Sequence, residues 1–259
     1  MAGSPCEAGA GQALYARYCS GAAFFPLVAS VLDGAQDGIV LADPRQPDQC
    51  AYVEHAFGFA QVIGTPSPTF AANLERRLLG ERRFAPAKVR LYTPWLPTFL
   101  DGAAGQPLRS ERQRYVLPAS VVPAPAAEGF DAAPVTTATL DAMDAAFGVL
   151  GRFWRSPDDF LRGALAVLVS RDGTPAALCY AAAVAGGRAE IDVVTAPDMR
   201  RQGVGRHAVA AFIRHARSRG VEPLWDCFTN NTGSVALART LGFQAAGDPY
   251  PFFTIPRAS

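Results

Sequence analysis

Hydrophobic and polar positions follow different periods along this chain, and the second half is the more legible. Three apolar runs, Ala164–Ser170, Pro175–Val184 and Arg188–Thr195, are joined by Asp172-Gly173 and Gly186-Gly187. Two-residue joints of this kind are hairpin signals, so the three runs are expected as antiparallel strands. Ahead of them, Ser156-Pro157-Asp158-Asp159 reads as a helix start, with a Ser cap, Pro at the first helical position and acids in the first turn. After Arg200–Gly205 a helix is expected to about Arg219. Its residues Val209, Phe212, Ile213 and Ala216 face inward, and Arg206, His207, Arg214 and Arg217 face water. A strand Pro223–Phe228, a short helix Ser234–Leu241, Gly242-Phe243 and a last extended segment complete the chain.

In the first half, Ala8–Gly34 reads as helix interrupted near Pro26. Gly38–Ala42 and Ala51–Ile63 read as strands separated by the turn-forming DPRQPDQ. Thr69–Glu81 places Phe70, Leu74, Leu78 and Leu79 at helical spacing, and Val89–Tyr92 and Arg112–Leu117 read as short strands. Between the halves lies Pro118–Pro134, PASVVPAPAAEGFDAAP, whose four prolines exclude a helix or a central strand. The expected division is therefore an N-terminal α/β domain over 1–117, a Pro/Ala-rich linker over 118–134 and a C-terminal domain over 135–259. The fold class is α/β (α+β).

Composition narrows the function classes. Of 259 residues, 49% are hydrophobic and 18% charged, which suits a packed core rather than wholesale disorder. The net charge of +1 supplies no global field for nucleic acid or an acidic membrane, and neither is expected as a partner. The apolar run Ala176–Ala185 is far shorter than the roughly 20 residues of a membrane span. Ala22–Leu32 starts too late and carries Pro26, so it is not read as a signal segment, and a cytoplasmic location is expected. Five cysteines without a CxxC pair suggest neither a disulfide framework nor a zinc site, and no metal is expected. Cys179 and Cys227 lie in apolar strands and read as packing residues.

Chemistry concentrates in Arg200-Arg201-Gln202-Gly203-Val204-Gly205, between a strand and a helix start. Glycines there let backbone N–H groups turn toward a ligand, the helix N-terminus favours negative charge, and the arginines add cations, a combination suited to a pyrophosphate. Gly203-Val204-Gly205-Arg206-His207-Ala208 also fits a dinucleotide fingerprint, with Asp226 as its acidic residue. The context opposes that reading, because hairpins precede the motif and seven residues separate the strand from the first Gly.

With these residues in view, GRAEIDVVTAPDMRRQGVGRHAVAAFIRHA resembles the acyl-CoA-binding core of the GNAT (GCN5-related) N-acetyltransferases, a strand followed by R/Q-x-x-G-x-G/A and a helix. TNNTGSVALARTLGF resembles the later family segment N-x-x-A/S…LGF, and the spacing of the two agrees. GIVLADPRQPDQCAYVEHAFGFAQVIG is loosely similar to the N-terminal part of a subgroup that carries an extra domain. The resemblance implies a mixed, splayed sheet in which the strands Glu190–Thr195 and Leu224–Phe228 part. A smaller N-terminal α/β domain would precede it, compatible with a degenerate GNAT-like half and with a role in acceptor specificity.

On that resemblance, acetyl-CoA is the cosubstrate. Its pantetheine would pair with backbone of Val193, Val194 and Thr195. Its pyrophosphate would lie on Gln202, Gly203, Val204, Gly205 and Arg206, flanked by Arg200 and Arg201. Asn231 and Ser234 match polar positions near the cofactor, and a plain helix cap would account for them equally well.

Acetyl transfer to an amine needs a neutral nucleophile, and an alkyl amine with a pKa of about 10 costs roughly 4 kcal/mol to deprotonate at neutral pH. Strand alternation places Glu190, Asp192 and Val194 on one face. Glu190 is the first candidate base and Asp192 the second, the alternative being two solvent-facing residues on an amphipathic strand. Many family members have a Tyr seven residues after the Asn, which here would be position 238, occupied by Ala. Water, Tyr250 or Cys227 are the remaining proton sources for the departing thiolate. The expected activity is direct acetyl transfer, in a ternary complex, to a primary amine of a small molecule held between the core and the N-terminal domain. A non-catalytic acyl-CoA sensor is the alternative.

Overall fold

The computed structural model describes residues 5–101, 108–123 and 129–258, with the backbone alone over 5–10. Part of the expected linker, 124–128, and the side chain of Cys6 lie outside them. By its internal contacts the chain forms two units, 1–112 with 249–259, and 113–248.

The first unit begins with α1 (Pro5–Ser20) and α2 (Pro26–Leu32), the latter starting on Pro26 where a missing N–H costs nothing. Strands β1 (Gly38–Ala42), β2 (Ala51–His55) and β3 (Phe59–Ile63) follow, then α3 (Pro68–Glu75), β4 (Lys88–Tyr92) and β5 (Leu108–Val116). Ser67 caps α3 by accepting from the N–H of Phe70, and the helix widens into a π-helical turn over Arg76–Glu81. The second unit holds β6 (Asp131–Pro134), α4 (Thr137–Phe147), α5 (Pro157–Gly163), β7 (Val167–Arg171), β8 (Thr174–Ala185) and β9 (Arg188–Thr195). It continues through α6 (Val204–Ser218), β10 (Glu222–Phe228), α7 (Thr232–Thr240) and β11 (Gln244–Ala245). The last strand, β12 (Tyr250–Pro256), belongs to the first unit, because it pairs antiparallel with β4 and with the first half of β5. The sequence boundaries had kept it with the C-terminal part.

The first unit's strand order is β1-β2-β3-β4-β12-β5, and Phe70, Leu74 and Leu78 pack on one face against Tyr52, Val62, Val89, Leu91 and Ile255. In the second unit the order is β5, β10, β9, β8, β7, β6. One face is covered by Val204, Ala208, Val209, Phe212, Ile213 and Ala216 of α6. The other is covered by Leu140, Met143 and Phe147 of α4 and Phe160 of α5, over Leu168, Leu178 and Tyr180. Among the described residues no helix is long and apolar enough to cross a membrane.

Three further sequence expectations are corrected, and one helix is new. Ala51–Ile63 is two antiparallel strands, because Gly58 at φ +91° turns the chain where a Cβ would come 2.3 Å from the carbonyl of Lys88. The end of the supposed linker is strand β6, tolerated because it pairs only with β7 at the sheet edge. Helix α4 was not read from the sequence. His207 is buried rather than wet, at 5% exposure.

Candidate active site

Antiparallel hairpins build the site's central strand. Asp172 and Gly173 at φ 50° and 76°, and Gly186 and Gly187 at 54° and 68°, make the left-handed two-residue turns that a tight hairpin requires. They join β7 to β8 and β8 to β9. The next neighbour, β10, runs parallel to β9, and its ladder covers only Glu222↔Arg188, Pro223↔Ala189 and Leu224↔Glu190. Beyond that point β9 keeps its partner on the other side through Thr195↔Ala177, and Ile191–Thr195 are half-buried. The family resemblance implies that Glu190–Thr195 and Leu224–Phe228 part, and the observed ladder ends at Leu224↔Glu190. The separation opens a one-sided gap in the sheet, with strand backbone available along one edge.

From Thr195 the chain enters a 3-10 turn at Pro197–Met199 and then the loop Arg200–Gly203. Arg201 and Gly203 both lie in the left-handed region, at φ 62° and 77°. Two left-handed residues separated by one coil the backbone tightly into α6, with Gly203 as its cap residue. The first helical bond in which Gly203 takes part comes from the N–H of His207 at 3.0 Å, so the N–H groups of Val204, Gly205 and Arg206 are left for another acceptor. Val204 anchors the turn in the core at 1% exposure. A Cβ on Gly203 would meet nothing within 4 Å, whereas one on Gly205 would lie 2.9 Å from Thr195 Oγ1. Gln202 donates from Nε2 to the carbonyl of Asp198 at 2.9 Å, bracing the loop from inside. Arg200, Arg201 and Arg206 are exposed, and among the described residues none of them forms an ion pair. Open space over Gly203, free helical donors and three uncommitted guanidiniums suit a diphosphate.

Asn231 caps α7, its Oδ1 accepting from the N–H of Ser234 at 3.1 Å. Ser234 Oγ in turn accepts from Trp225 Nε1 at 3.0 Å. Both predicted polar residues thus serve the local structure, and Trp225 is a core residue at 4% exposure. Ala238, at the position where a Tyr was sought, is fully buried. Cys179 and Cys227 are buried too, and burial pushes the Cys179 thiol well above its ordinary range. Among the described residues no group of three or more His, Cys, Asp or Glu is placed to hold a metal.

The two candidate bases are not the solvent-facing pair allowed as an alternative. Glu190 is 7% exposed and occupies the last paired position before the gap. Asp192, two residues further on, is half-buried and accepts a 2.7 Å hydrogen bond at Oδ2 from Tyr180 OH. Tyr180 was not foreseen from the sequence. Elsewhere, the first unit contains a cavity of about 330 Å³ bordered by Arg17, Tyr18, Gln61, Ile63 and Trp95, and no predicted site residue lines it.

The model of the family described as GNAT acetyltransferase matches residues 127–253. Among curated proteins, the "Uncharacterized N-acetyltransferase YdfB" of Bacillus subtilis (strain 168) is 29% identical over 92 residues, 36% of this chain. The match spans only 35% of that relative's length. Among solved structures, a GCN5-related N-acetyltransferase-like protein from Streptococcus suis 89/1591 aligns at a TM-score of 0.67 and 17% identity, covering 96% of this chain and 99% of its own. A GCN5-related N-acetyltransferase from Kribbella flavida aligns at 0.61 and 20% identity, covering 90% of this chain and 94% of its own. At these identities the two structures establish the fold.

Proposed function

The chain belongs, through residues 127–253, to the GNAT acetyltransferase family, and from that premise we propose that it transfers an acetyl group from acetyl-CoA to a primary amine of a small molecule. One observation carries the reading. The parallel ladder of β9 and β10 stops at Glu190, and the freed part of β9 leads directly into a left-handed loop and the N-terminus of α6. That order presents first strand backbone, for an extended amide-bearing arm, and then N–H donors with arginines, for a diphosphate.

In this reading Val193, Val194 and Thr195 bind the arm, and Gln202–Arg206 with Arg200 and Arg201 bind the diphosphate. Asn231 and Ser234 shape the neighbouring wall through the cap of α7. When bound, acetyl-CoA supplies the activated acyl group. The amine nitrogen attacks the thioester carbonyl carbon, the C–S bond breaks, and the sulfur leaves with the electron pair. The nitrogen's proton passes to a carboxylate of β9, and water protonates the thiolate, since Ala238 offers no acid. Of the two carboxylates, Asp192 lies on the opened segment and is the more accessible; Glu190 closes the gap's apex. The first unit is proposed to select the acceptor. Acceptors are small amines because no charged run for docking a protein is present in the sequence.

The test is thiol release from acetyl-CoA against a broad panel of amines, for wild type, Asp192→Asn and Glu190→Gln. Loss of a base is expected to slow turnover about 10²–10⁴-fold while leaving acetyl-CoA binding intact. Tight acetyl-CoA binding with no amine-dependent release would instead favour a non-catalytic sensor, which the buried Ala238 motivates.

A further inference from the structure

The Gly186-Gly187 turn pairs Ala185 with Arg188, Val184 with Ala189 and Ala183 with Glu190. Continued without interruption, that register would set Tyr180 opposite Val193, on the face covered by α6. The register instead shifts between Ala183 and Ala181, leaving Ala182 as an extra residue, and Tyr180 falls opposite Asp192. A one-residue bulge exchanges the faces of the side chains beyond it. Val184 accordingly packs on the α6 face, whereas Tyr180 and Leu178 pack with α4 and α5.

The bulge is held from outside the hairpin. The N–H of Ala181 donates to the carbonyl of Ala164 at 2.7 Å, and its carbonyl accepts from Trp154 Nε1 at 3.0 Å. Gly163 makes room for the indole, since a Cβ there would lie 2.3 Å from the ring. These bonds satisfy backbone groups that the bulge takes out of the ladder. The relocated Tyr180 is fully buried, with the rings of Phe160 and Phe153 at 5.7 and 6.5 Å.

Resting on the acetyl-transfer reading above, we propose that Tyr180 is a positioning residue for that reaction. Its hydroxyl fixes the orientation of Asp192 through Oδ2, leaving Oδ1 to take the proton of the incoming amine. The Ala182 bulge, braced by Trp154, is the device that brings the two together. Burial, then the neighbouring Asp192, pushes the Tyr180 phenol far above its ordinary range, so it donates throughout the working pH range. The other ionisable groups around the pair are Arg152, which approaches the phenol from the segment between α4 and α5, Cys179 beside Tyr180 on β8, and Glu190 on β9. Arg152 also favours ionised neighbours, while the buried thiol stays neutral.

Tyr180→Phe keeps the ring and removes only the hydroxyl. We expect kcat to fall about tenfold, with KM for the amine and the affinity for acetyl-CoA as in wild type. The double variant Tyr180→Phe/Asp192→Asn is expected to be no slower than Asp192→Asn alone, because the hydroxyl acts only through that carboxylate. A wild-type kcat in Tyr180→Phe, or a further loss of about tenfold on top of Asp192→Asn, would overturn the proposal. Gly163→Ala reaches the bulge without touching either residue and is expected to lower kcat in the same way; an unchanged kcat there removes the role given to the bulge. Wild type that binds acetyl-CoA but releases no thiol with any amine overturns the acetyl-transfer reading, and with it the positioning role of Tyr180.

Discussion

Gly205 and Thr195 meet across the corner between β9 and α6, where a Cβ on the glycine would lie 2.9 Å from Thr195 Oγ1. The end of the strand and the first turn of the helix can approach this closely only because position 205 has no side chain. Gly205→Ala gains helix propensity of up to about 1 kcal/mol but displaces the threonine hydroxyl. Calorimetry is expected to show acetyl-CoA binding weakened about tenfold, equivalent to about 1.4 kcal/mol. Adding Thr195→Ala is expected to recover most of the loss; no recovery would show that the contact does not govern the corner.

The cap residue of α6 makes a different demand. Gly203 has open space around it but a left-handed backbone, so the obstacle to substitution there is conformational rather than steric. Gly203→Val is expected to lower the free energy of unfolding by about 1–3 kcal/mol, as strain of this kind does. Gly203→Asn is expected to cost less, since Asn tolerates the left-handed region. Denaturant melts of the two variants measure the difference, and equal stabilities would contradict the assignment.

Arg201 separates charge from backbone. It is the non-glycine residue of the loop held at positive φ, at 62°. In Arg201→Gly, relief of left-handed strain and the added freedom of the unfolded chain oppose each other, each by about 1 kcal/mol, so stability is expected to change little. CoA affinity is expected to fall, and its salt dependence to become shallower, if the guanidinium serves the diphosphate. Titrations with CoA at low and high salt check this.

His55 in β2 gives the first unit a pH dependence. Burial lowers its pKa from 6.5 to about 4, against a smaller opposing pull from Asp37. Its Nδ1 accepts the N–H of Phe57 at 2.9 Å, which requires an unprotonated nitrogen there. The unfolded chain therefore binds the proton first as pH falls. Stability is expected to decline by up to about 3 kcal/mol between pH 6.5 and 4 and to level off below. Unfolding curves across that window are expected to be flatter for His55→Gln.

Much of the fold could be read because local signals and tertiary structure agreed. The Asp172-Gly173 and Gly186-Gly187 turns, the Ser156 cap and the apolar stripe of α6 all appear as the pattern dictates. What escaped depended on context. Gly58 turns a chain whose flanking residues, all apolar or aromatic, suggest one continuous strand. The Ala182 bulge sits in a run of alanines with no turn residue to mark it, so simple alternation misplaces Tyr180. Strand β12 belongs to the first unit through pairings nearly 150 residues apart in sequence, such as Phe252↔Ser110 and Phe253↔Arg109. The backbone cradle was legible because glycines announce backbone geometry. The link between Asp192 and Tyr180 was not, because it follows from register.

The cradle at Gly203 is tested by titrating wild type and Gly203→Val with acetyl-CoA. Wild type is expected to bind saturably, one to one, and the variant to lose at least tenfold in affinity. Absence of binding by folded wild type, or equal affinity in the two proteins, would contradict it.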